Sequence, residues 1–285
     1  MRYASPGARR RDISEMRSAN TGTKINRPHR LMTEERRREI LGLLEQQGRV
    51  TVDDLTRRFS VSAVTARGDL DALSAAGALV RSHGGAVPPL NPAQDYPLAV
   101  KESIHQEEKV RIARAAAQLI KAGQTIILDA GTTAAQVALQ IKKLKLPSLT
   151  VITHALNIAA RLADAPNINI IFIGGIMRPL STSCVGPHAE QMMRDLHADH
   201  FFVSVDGLDP EVGLSTPDIL EAQLNSVMIR SAKETTVISD ASKFGRRSLS
   251  VISGLDAIQR VITDSRVSPA MVATLRAHDI EVIIV

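Results

Sequence analysis

The sequence predicts two domains: a small, mainly helical N-terminal domain of the winged helix-turn-helix type and a larger C-terminal α/β domain with a largely parallel sheet. A chain of 285 residues is long for one domain and suits two. Its first third reads as three short helices and two short extended segments, whereas from about Glu107 onward apolar strand-like runs alternate with helical segments. Charge divides at nearly the same place. Residues 1–90 hold 16 Lys+Arg against 10 Asp+Glu and the remainder 19 against 20, so the net charge of +5 resides in the N-terminal part. A basic domain joined to a neutral one is the footprint of a polyanionic partner for the first alone.

Composition excludes several classes. Apolar residues at 44% and charged residues at 23% suffice for packed cores and exclude a disordered chain. No apolar run approaches the roughly 20 residues that span a bilayer, and the basic N-terminus precedes no apolar stretch, so neither a membrane span nor a secretory signal is expected. The lone Cys184 can form no internal disulfide and belongs to no metal or redox motif. The expectation is a cytoplasmic protein with no metal and no cofactor.

Residues 1–30, with Arg9-Arg10-Arg11 and scattered Gly, Ser, Asn and Pro, show no apolar periodicity. They read as a disordered basic tail, either dispensable or a source of non-specific DNA affinity. The helix-turn-helix domain is expected over 31–87. Thr33 is placed to cap a first helix with Glu34 and Glu35 in its first turn, Ile40, Leu41 and Leu44 as its apolar stripe and Gly48 as its stop. Val50-Thr51-Val52 reads as extended, and Thr51 with Asp54 resembles a capping box for a second short helix that buries Leu55 and Phe59. After a tight turn at Ser60-Val61, Ser62 caps a third helix that turns Ala66, Leu70 and Leu73 to the core and stops at Gly77. Residues 79–87, extended on both sides of polar and Gly residues, read as a β-wing.

With Ala66, Leu70 and Leu73 inward, Ala63, Val64, Arg67 and Gly68 lie on the outward side of the third helix near its N-terminus, where a recognition helix meets base edges. Arg67 can pair with guanine or with a phosphate. Ser62, Thr65 and the helix N-terminal amides suit phosphates, and Arg81 and His83 are placed for wing contacts. The run from Glu35-Arg36 through Ile40, Val50, Leu55, Phe59, Val61-Ser62, Thr65, Arg67, Asp69-Leu70, Leu73, Gly77, Arg81 and His83-Gly84-Gly85-Ala86 resembles the N-terminal signature of the DeoR family of bacterial sugar-operon regulators. Two positions depart from it. The family usually has a bulky aliphatic residue at Ala66 and commonly Arg or another polar residue at Gly68. Gly within a helix costs on the order of 1 kcal/mol relative to Ala, and here it also removes a side chain that would reach a base or phosphate. The operator sequence therefore does not transfer from relatives.

Pro88, Pro89, Pro92 and Pro97 mark a linker over 88–106. The second domain is expected over 107–285, with strands at 125–128, 149–153, 169–173, 201–205, 236–239, 260–263 and 281–285 and helices such as 107–120 and 155–163 between them. This is the pattern of βαβ units covered on both faces. After the strand ending at Asp129 come Ala130-Gly131-Thr132-Thr133 and a helix. Helix N-terminal amides favour an anion, Gly admits close approach and two hydroxyls add donors, which together suit a phosphate. The turn is neither a G-x-G-x-x-G nor a Walker sequence, which argues against dinucleotides and nucleoside triphosphates. Further strand ends carry Thr153-His154, Gly174-Gly175, Asp206-Gly207 and Asp240 with Lys243, and in open α/β sheets such ends converge on one crevice. Lys243 suits a phosphate or sugar hydroxyl; Asp206 and Asp240 suit the acceptance of hydroxyl protons.

Residues 107–285 also resemble the DeoR-family effector domain, through Gly174-Gly175, Val185-Gly186, Asp206-Gly207, Glu221 and Ser242-Lys243-Phe244-Gly245. That domain is similar in fold to ribose-5-phosphate isomerase and CoA transferases, and the family's effectors are phosphorylated sugars or sugar-like intermediates. The resemblance implies that Thr132 and Thr133 bind phosphate, with Asp206, Glu221, Asp240 and Lys243 near the sugar. It places His154 where the family usually has Asn. It also implies a homo-oligomer, dimer or tetramer, as does the need of one helix-turn-helix for a second half-site. The expected function is transcription regulation, with operator DNA and a phosphorylated sugar or amino sugar as partners and repression as the commoner family mode. Two alternatives are weighed. One is an aldose-ketose isomerase with an appended DNA-binding domain, in which Glu221 or Asp206 with Lys243 supplies the base and the oxyanion stabiliser. The Gly-rich segment that follows a catalytic Lys in such isomerases is not evident in Phe244-Gly245-Arg246-Arg247. The other is a structural nucleoid protein, against which the polar strand ends argue.

Overall fold

The computed structural model describes residues 32–89 and 94–285. The expected basic tail, 1–30, and Pro92 lie outside them. In the N-terminal domain α1 (Thr33–Gln47) carries Glu34 and Glu35 in its first turn, where the positive end of the helix dipole favours carboxylates. Its cap is Met32 rather than Thr33, because the Glu35 carboxylate accepts the Met32 backbone N–H at 3.0 Å and the helix starts one residue early. β1 (Val50–Thr51) leads into α2 (Val52–Phe59), whose cap Thr51 accepts the Asp54 N–H at 3.1 Å. α3 (Ala63–Ala75) is capped by Ser62 through the Thr65 N–H at 3.1 Å. Ala66, Leu70 and Leu73 pack with Ile40, Leu44 and Leu55 in one core. β2 (Val80–Ser82) and β3 (Gly85–Val87) form the wing, and β3 also pairs with β1.

The proline-marked segment is more than a spacer. α4 (Leu98–Ser103) forms within it, since no proline falls among those residues. Then α5 (Gln106–Gln118), β4 (Thr125–Leu128), α6 (Thr132–Leu144), β5 (Leu149–Thr153), α7 (Leu156–Leu162) and β6 (Ile168–Phe172) follow as successive βα units. The hairpin of β7 (Ile176–Arg178) and β8 (Ser183–Val185) and then α8 (Pro187–Arg194) lead to β9 (Ala198–Val203). β10 (Gly207–Asp209) and β11 (Gly213–Thr216) form a second hairpin; α9 (Ile219–Ser231) and β12 (Ala232–Ile238) follow, and β13 (Ser250–Ser253) joins β11. β14 (Arg260–Thr263), α10 (Pro269–Ala277) and β15 (Glu281–Ile284) complete the chain.

Seven of the described strands form one parallel sheet in the order β15-β14-β12-β9-β4-β5-β6. From β4 the chain winds through β5 to β6 at one edge, returns to β9 beside β4, and winds to the other edge. The direction reverses between β4 and β9, and such a reversal opens a crevice at the C-terminal strand ends. Both faces are buried. Ile126, Leu128, Val151 and Phe202 pack with residues of α5, α6 and α7, whereas Ile127, Ile152, Phe201 and Val203 pack with residues of α8, α9 and α10. β9 and β12 begin earlier than their apolar runs: Ala198 pairs with Ala232 and His200 with Glu234. Backbone pairing carries these polar strand starts, where the Asp199 carboxylate accepts the Thr125 N–H at 3.0 Å.

Candidate functional site

In the N-terminal domain α3 exposes Val64, Arg67 and Gly68 while burying Ala66, Asp69 and Leu70; Ala63 and Thr65 are half-buried. Asp69 receives Arg36 Nε at 2.5 Å and Arg37 Nε at 3.1 Å, which fastens α3 to α1. The Ser62 and Thr65 hydroxyls lie 2.9 Å apart and Ser62 also serves the cap, so both have protein partners where phosphate contacts were expected. His83 is exposed at the turn of the wing. Arg81, expected at the DNA, is engaged within the domain. It pairs with Asp71 at 3.0 Å and donates to the Gly85 carbonyl at 3.0 Å, because α3 and the partner strand flank it with acceptors. Its role in the structure is to tie the wing to α3.

In the C-terminal domain three strand ends line one cavity: Asp129 to Thr133 after β4, Ser204 to Asp206 after β9, and Ser239 to Lys243 after β12. A further wall comes from before the sheet, with Tyr96, Lys101, His105 and Lys109, and Glu221 of α9 closes the side. The N-terminus of α6, with Thr132 and Thr133 nearly buried, opens into this space. Gly131 is required there, since a Cβ would lie 2.2 Å from the Ser204 Cβ. The close approach it permits is between the loops after β4 and β9.

Ammonium groups and carboxylates share the cavity. Lys109 is nearly buried; its Nζ donates to the carbonyls of Lys101 at 2.5 Å and Ile104 at 2.7 Å, and burial pushes its pKa down to about 8. Lys101 and Lys243 each reach Asp206 at 3.1 Å. Burial works against the Asp206 charge, but the two ammonium groups outweigh it and hold the carboxyl below its usual range. Burial likewise opposes the Lys101 charge, and the carboxylates of Asp206, Glu221 and Asp95 outweigh it and raise its pKa. Asp240 is also held low against burial, by the charges of His105 and Lys243 and by the Ser242 hydroxyl, which donates at 2.5 Å. Glu221 shifts the other way: burial and the nearby Asp129 push it up, in spite of its ion pair with Arg178. Burial raises Asp129 too, against the N–H groups of Ala130 and Ser204.

The chain matches the family model of the DeoR C terminal sensor domain over residues 104–265 and that of the DeoR-like helix-turn-helix domain over residues 36–89. It belongs to the DeoR family. A protein of Escherichia coli O157:H7, named as a candidate transcriptional repressor of the aga operon, is 36% identical over 255 residues, covering 89% of this chain and 94% of its own length. Transcriptional repressor AccR of Agrobacterium fabrum is 35% identical over 234 residues, or 82% of this chain and 90% of its own. The glycerol-3-phosphate regulon repressor of Escherichia coli strain K12 is 30% identical over 247 residues, or 87% and 97%. Among solved structures, ribose 5-phosphate isomerase A of Methanocaldococcus jannaschii overlaps 49% of this chain and 54% of its own at 18% identity and a TM-score of 0.36. Translation initiation factor eIF-2B of Pyrococcus horikoshii overlaps 75% and 74% at 14% identity and a TM-score of 0.39.

Of the sensor-domain residues that the DeoR resemblance and the strand ends single out, the structure brings Asp129, Gly131, Thr132, Thr133, Asp206, Glu221, Asp240 and Lys243 to the cavity. It separates His154, Gly174 and Gly175 from the lining. His154 is fully buried behind Asp129, Nε2 at 3.9 Å from Oδ1, with neither ring nitrogen hydrogen-bonded. Burial, and then the Arg178 charge, push its pKa down to about 3, so the ring is neutral. Gly174 and Gly175 follow the edge strand β6, two places from β4. Gly175 has φ +151°, and a Cβ there would meet the Val185 carbonyl oxygen at 2.6 Å, so it makes room for β8 rather than for a ligand.

Four polar or charged lining residues from the chain ahead of the sheet escape the motifs and strand ends: Tyr96, Lys101, His105 and Lys109. Lys109 does leave a signal, for it stands three and four residues before Ile112 and Ala113 on the buried stripe of α5, where a lysine requires partners. Lys101 leaves none, since its contact with Asp206 spans 105 residues. Among the described residues no group of three or more His, Cys, Asp or Glu is arranged to hold a metal, and no helix is long and apolar enough to cross a membrane.

Proposed function

We propose that this chain is a DNA-binding transcriptional regulator, a repressor of a carbohydrate-metabolism operon controlled by a phosphorylated sugar or amino sugar in its C-terminal cavity. The observation that carries this reading is the meeting of Lys101, Lys109 and Lys243 with the N-terminus of α6 in one cavity. A phosphate dianion is the ligand such a set favours. Asp206 and Asp240, held ionised, then accept the sugar hydroxyls. Relatives named for control of the aga operon and the glycerol-3-phosphate regulon support the carbohydrate assignment. In the DNA-binding domain Ala63, Val64, Arg67 and Gly68 face the bases, with Ser62, Thr65 and His83 toward the backbone.

The sensor domain binds its ligand without turning it over. Relatives named as regulators and repressors support this, as does the chain after Lys243, where Phe244-Gly245-Arg246-Arg247 lacks the Gly-rich segment that follows a catalytic Lys in aldose-ketose isomerases of this fold. The regulator works in the cytoplasm as a homo-oligomer, because two half-sites build specific affinity that one helix-turn-helix lacks. The test is a thermal-shift screen of phosphorylated sugars and amino sugars with operator titration, in which a ligand at 100 times its Kd stabilises by roughly 2.7 kcal/mol. No stabilisation across the panel overturns the cavity assignment, and isomerisation of a sugar phosphate at enzymic turnover overturns the absence of catalysis.

A further inference from the structure

The segment between the two domains makes contacts on both. Toward the cavity, Lys101 reaches Asp206 at 3.1 Å and Asp95 at 3.3 Å. Asp95 is gripped in turn by Arg178 at 2.6 Å, and the same guanidinium holds Glu221. The Leu98 N–H donates to the Leu180 carbonyl at 2.7 Å. Toward the DNA-binding domain, Ile104 forms an antiparallel bridge with Ser82 of β2, and the His83 N–H donates to the Ser103 carbonyl at 3.0 Å. Lys109 fastens the joint by donating to the carbonyls of Lys101 and Ile104.

We propose that residues 95–104 transmit the effector signal: the ligand's phosphate draws Lys101 and Lys109 from their protein partners, and the freed segment releases the wing at Ser82 and His83. This rests on the phosphate reading of the cavity. Lys101 and Lys109 line the same space as the N-terminus of α6, so a phosphate seated there competes for their N–H donors with two carboxylates and two carbonyls. Phosphate oxygens make charge-assisted bonds to ammonium groups, whereas the carbonyls that Lys109 holds are neutral acceptors. Among the described residues the backbone pairing of the wing with this segment is the Ser82–Ile104 bridge, to which the His83–Ser103 hydrogen bond belongs, a joint small enough for a ligand to undo. A ligand shifts DNA affinity only through contacts that differ between two states, and this segment supplies such contacts at both ends.

The test uses the full chain with inorganic phosphate and ribose 5-phosphate as probes. Hydrogen exchange is read with the probe at a concentration that saturates the thermal shift. The His83 amide, whose acceptor lies on the segment, is expected to exchange at least about tenfold faster, whereas the amides paired within the β2-β3 hairpin are not. In parallel, Lys101→Met keeps the aliphatic stem and removes the charge. Lys109, Lys243 and the N-terminus of α6 still bind the probe, weakened by about tenfold, but DNA affinity no longer responds at saturation. The proposal is overturned if saturated Lys101→Met shifts DNA affinity by the wild-type factor, or if a bound probe leaves His83 exchange unchanged in the wild type. That second readout stands even if the Lys101 variant fails to fold. Failure of the cavity reading looks different: neither probe then stabilises the wild type at all, and the proposal falls with it.

Discussion

Arg36 of α1 and Asp69 of α3 form a buried ion pair, Nε to Oδ2 at 2.5 Å, with the two side chains 8% and 4% exposed. Arg37 adds a second contact to the same carboxylate at 3.1 Å. Removing one partner of a buried pair costs about 3–5 kcal/mol, because its charge stays behind in a poorly solvated place. Asp69→Asn should therefore destabilise the N-terminal domain by about 3 kcal/mol. Urea unfolding checks it, and a loss below about 1 kcal/mol, the size of an exposed pair, would show that the pair is solvated in solution.

Arg67 stands exposed on the outward side of α3. Arg67→Ala should weaken operator binding by about 1–3 kcal/mol if the side chain reads a base, with thermal stability unchanged. Titration with operator and with random DNA separates base readout from phosphate contact. Undiminished binding to both removes Arg67 from the interface.

Gly68 faces open space: a Cβ added there would have no neighbouring atom within 4 Å, and the helical backbone suits any L residue. Gly68→Ala should stabilise the domain by about 0.5–1 kcal/mol by lowering the backbone entropy lost on folding. Equilibrium unfolding reads the gain directly. A destabilised variant would mean that the helix bends at this position.

Thr132→Asp places a fixed negative charge at the N-terminus of α6, where the helix dipole tolerates it and a phosphate does not. The variant should fold and should lose the response to a phosphorylated effector, because the added carboxylate repels the phosphate. Operator titration with and without the effector checks this, and a wild-type response would place the phosphate elsewhere.

His154 supplies a pH dependence of definite sign. Its folded pKa of about 3 lies below the ordinary histidine value of 6.5, so between these values the unfolded chain binds a proton that the folded chain refuses. Its contribution to stability is whole above pH 6.5 and is lost as pH falls toward 3, at about 1.4 kcal/mol per pH unit. His154→Asn should remove that slope, while His200, whose pKa burial pushes down to about 4, keeps its own. Denaturant unfolding of both proteins at about pH 7.5 and about pH 4.5 is the measurement, and the gap between them should move in favour of the variant by about 3 kcal/mol on acidification. An unchanged gap would mean that the His154 ring is protonated or hydrated in the fold.

Features with short-range causes were legible in the chain. Thr51 and Ser62 cap their helices because a hydroxyl reaches an amide three residues on. The runs 125–128, 149–153 and 260–263 became strands within the expected limits, since apolar residues buried on both faces leave no other place for them. Part of the cavity followed as well, because a parallel sheet brings Asp129, Asp206 and Asp240 to one end whatever the strand order. Strand order itself has no local cause. It arises from the reversal of winding that sets β4 beside β9, which put Gly131 against Ser204 and left Gly174 and Gly175 beyond the cavity, while the pairing of β5 with β4 buried His154 behind Asp129. Lys101 shows the limit most plainly. It lies on a short helix that buries no residue and so has no apolar pattern to mark it, and its partner Asp206 comes 105 residues later; only the packing of the whole chain brings the two charges within 3.1 Å.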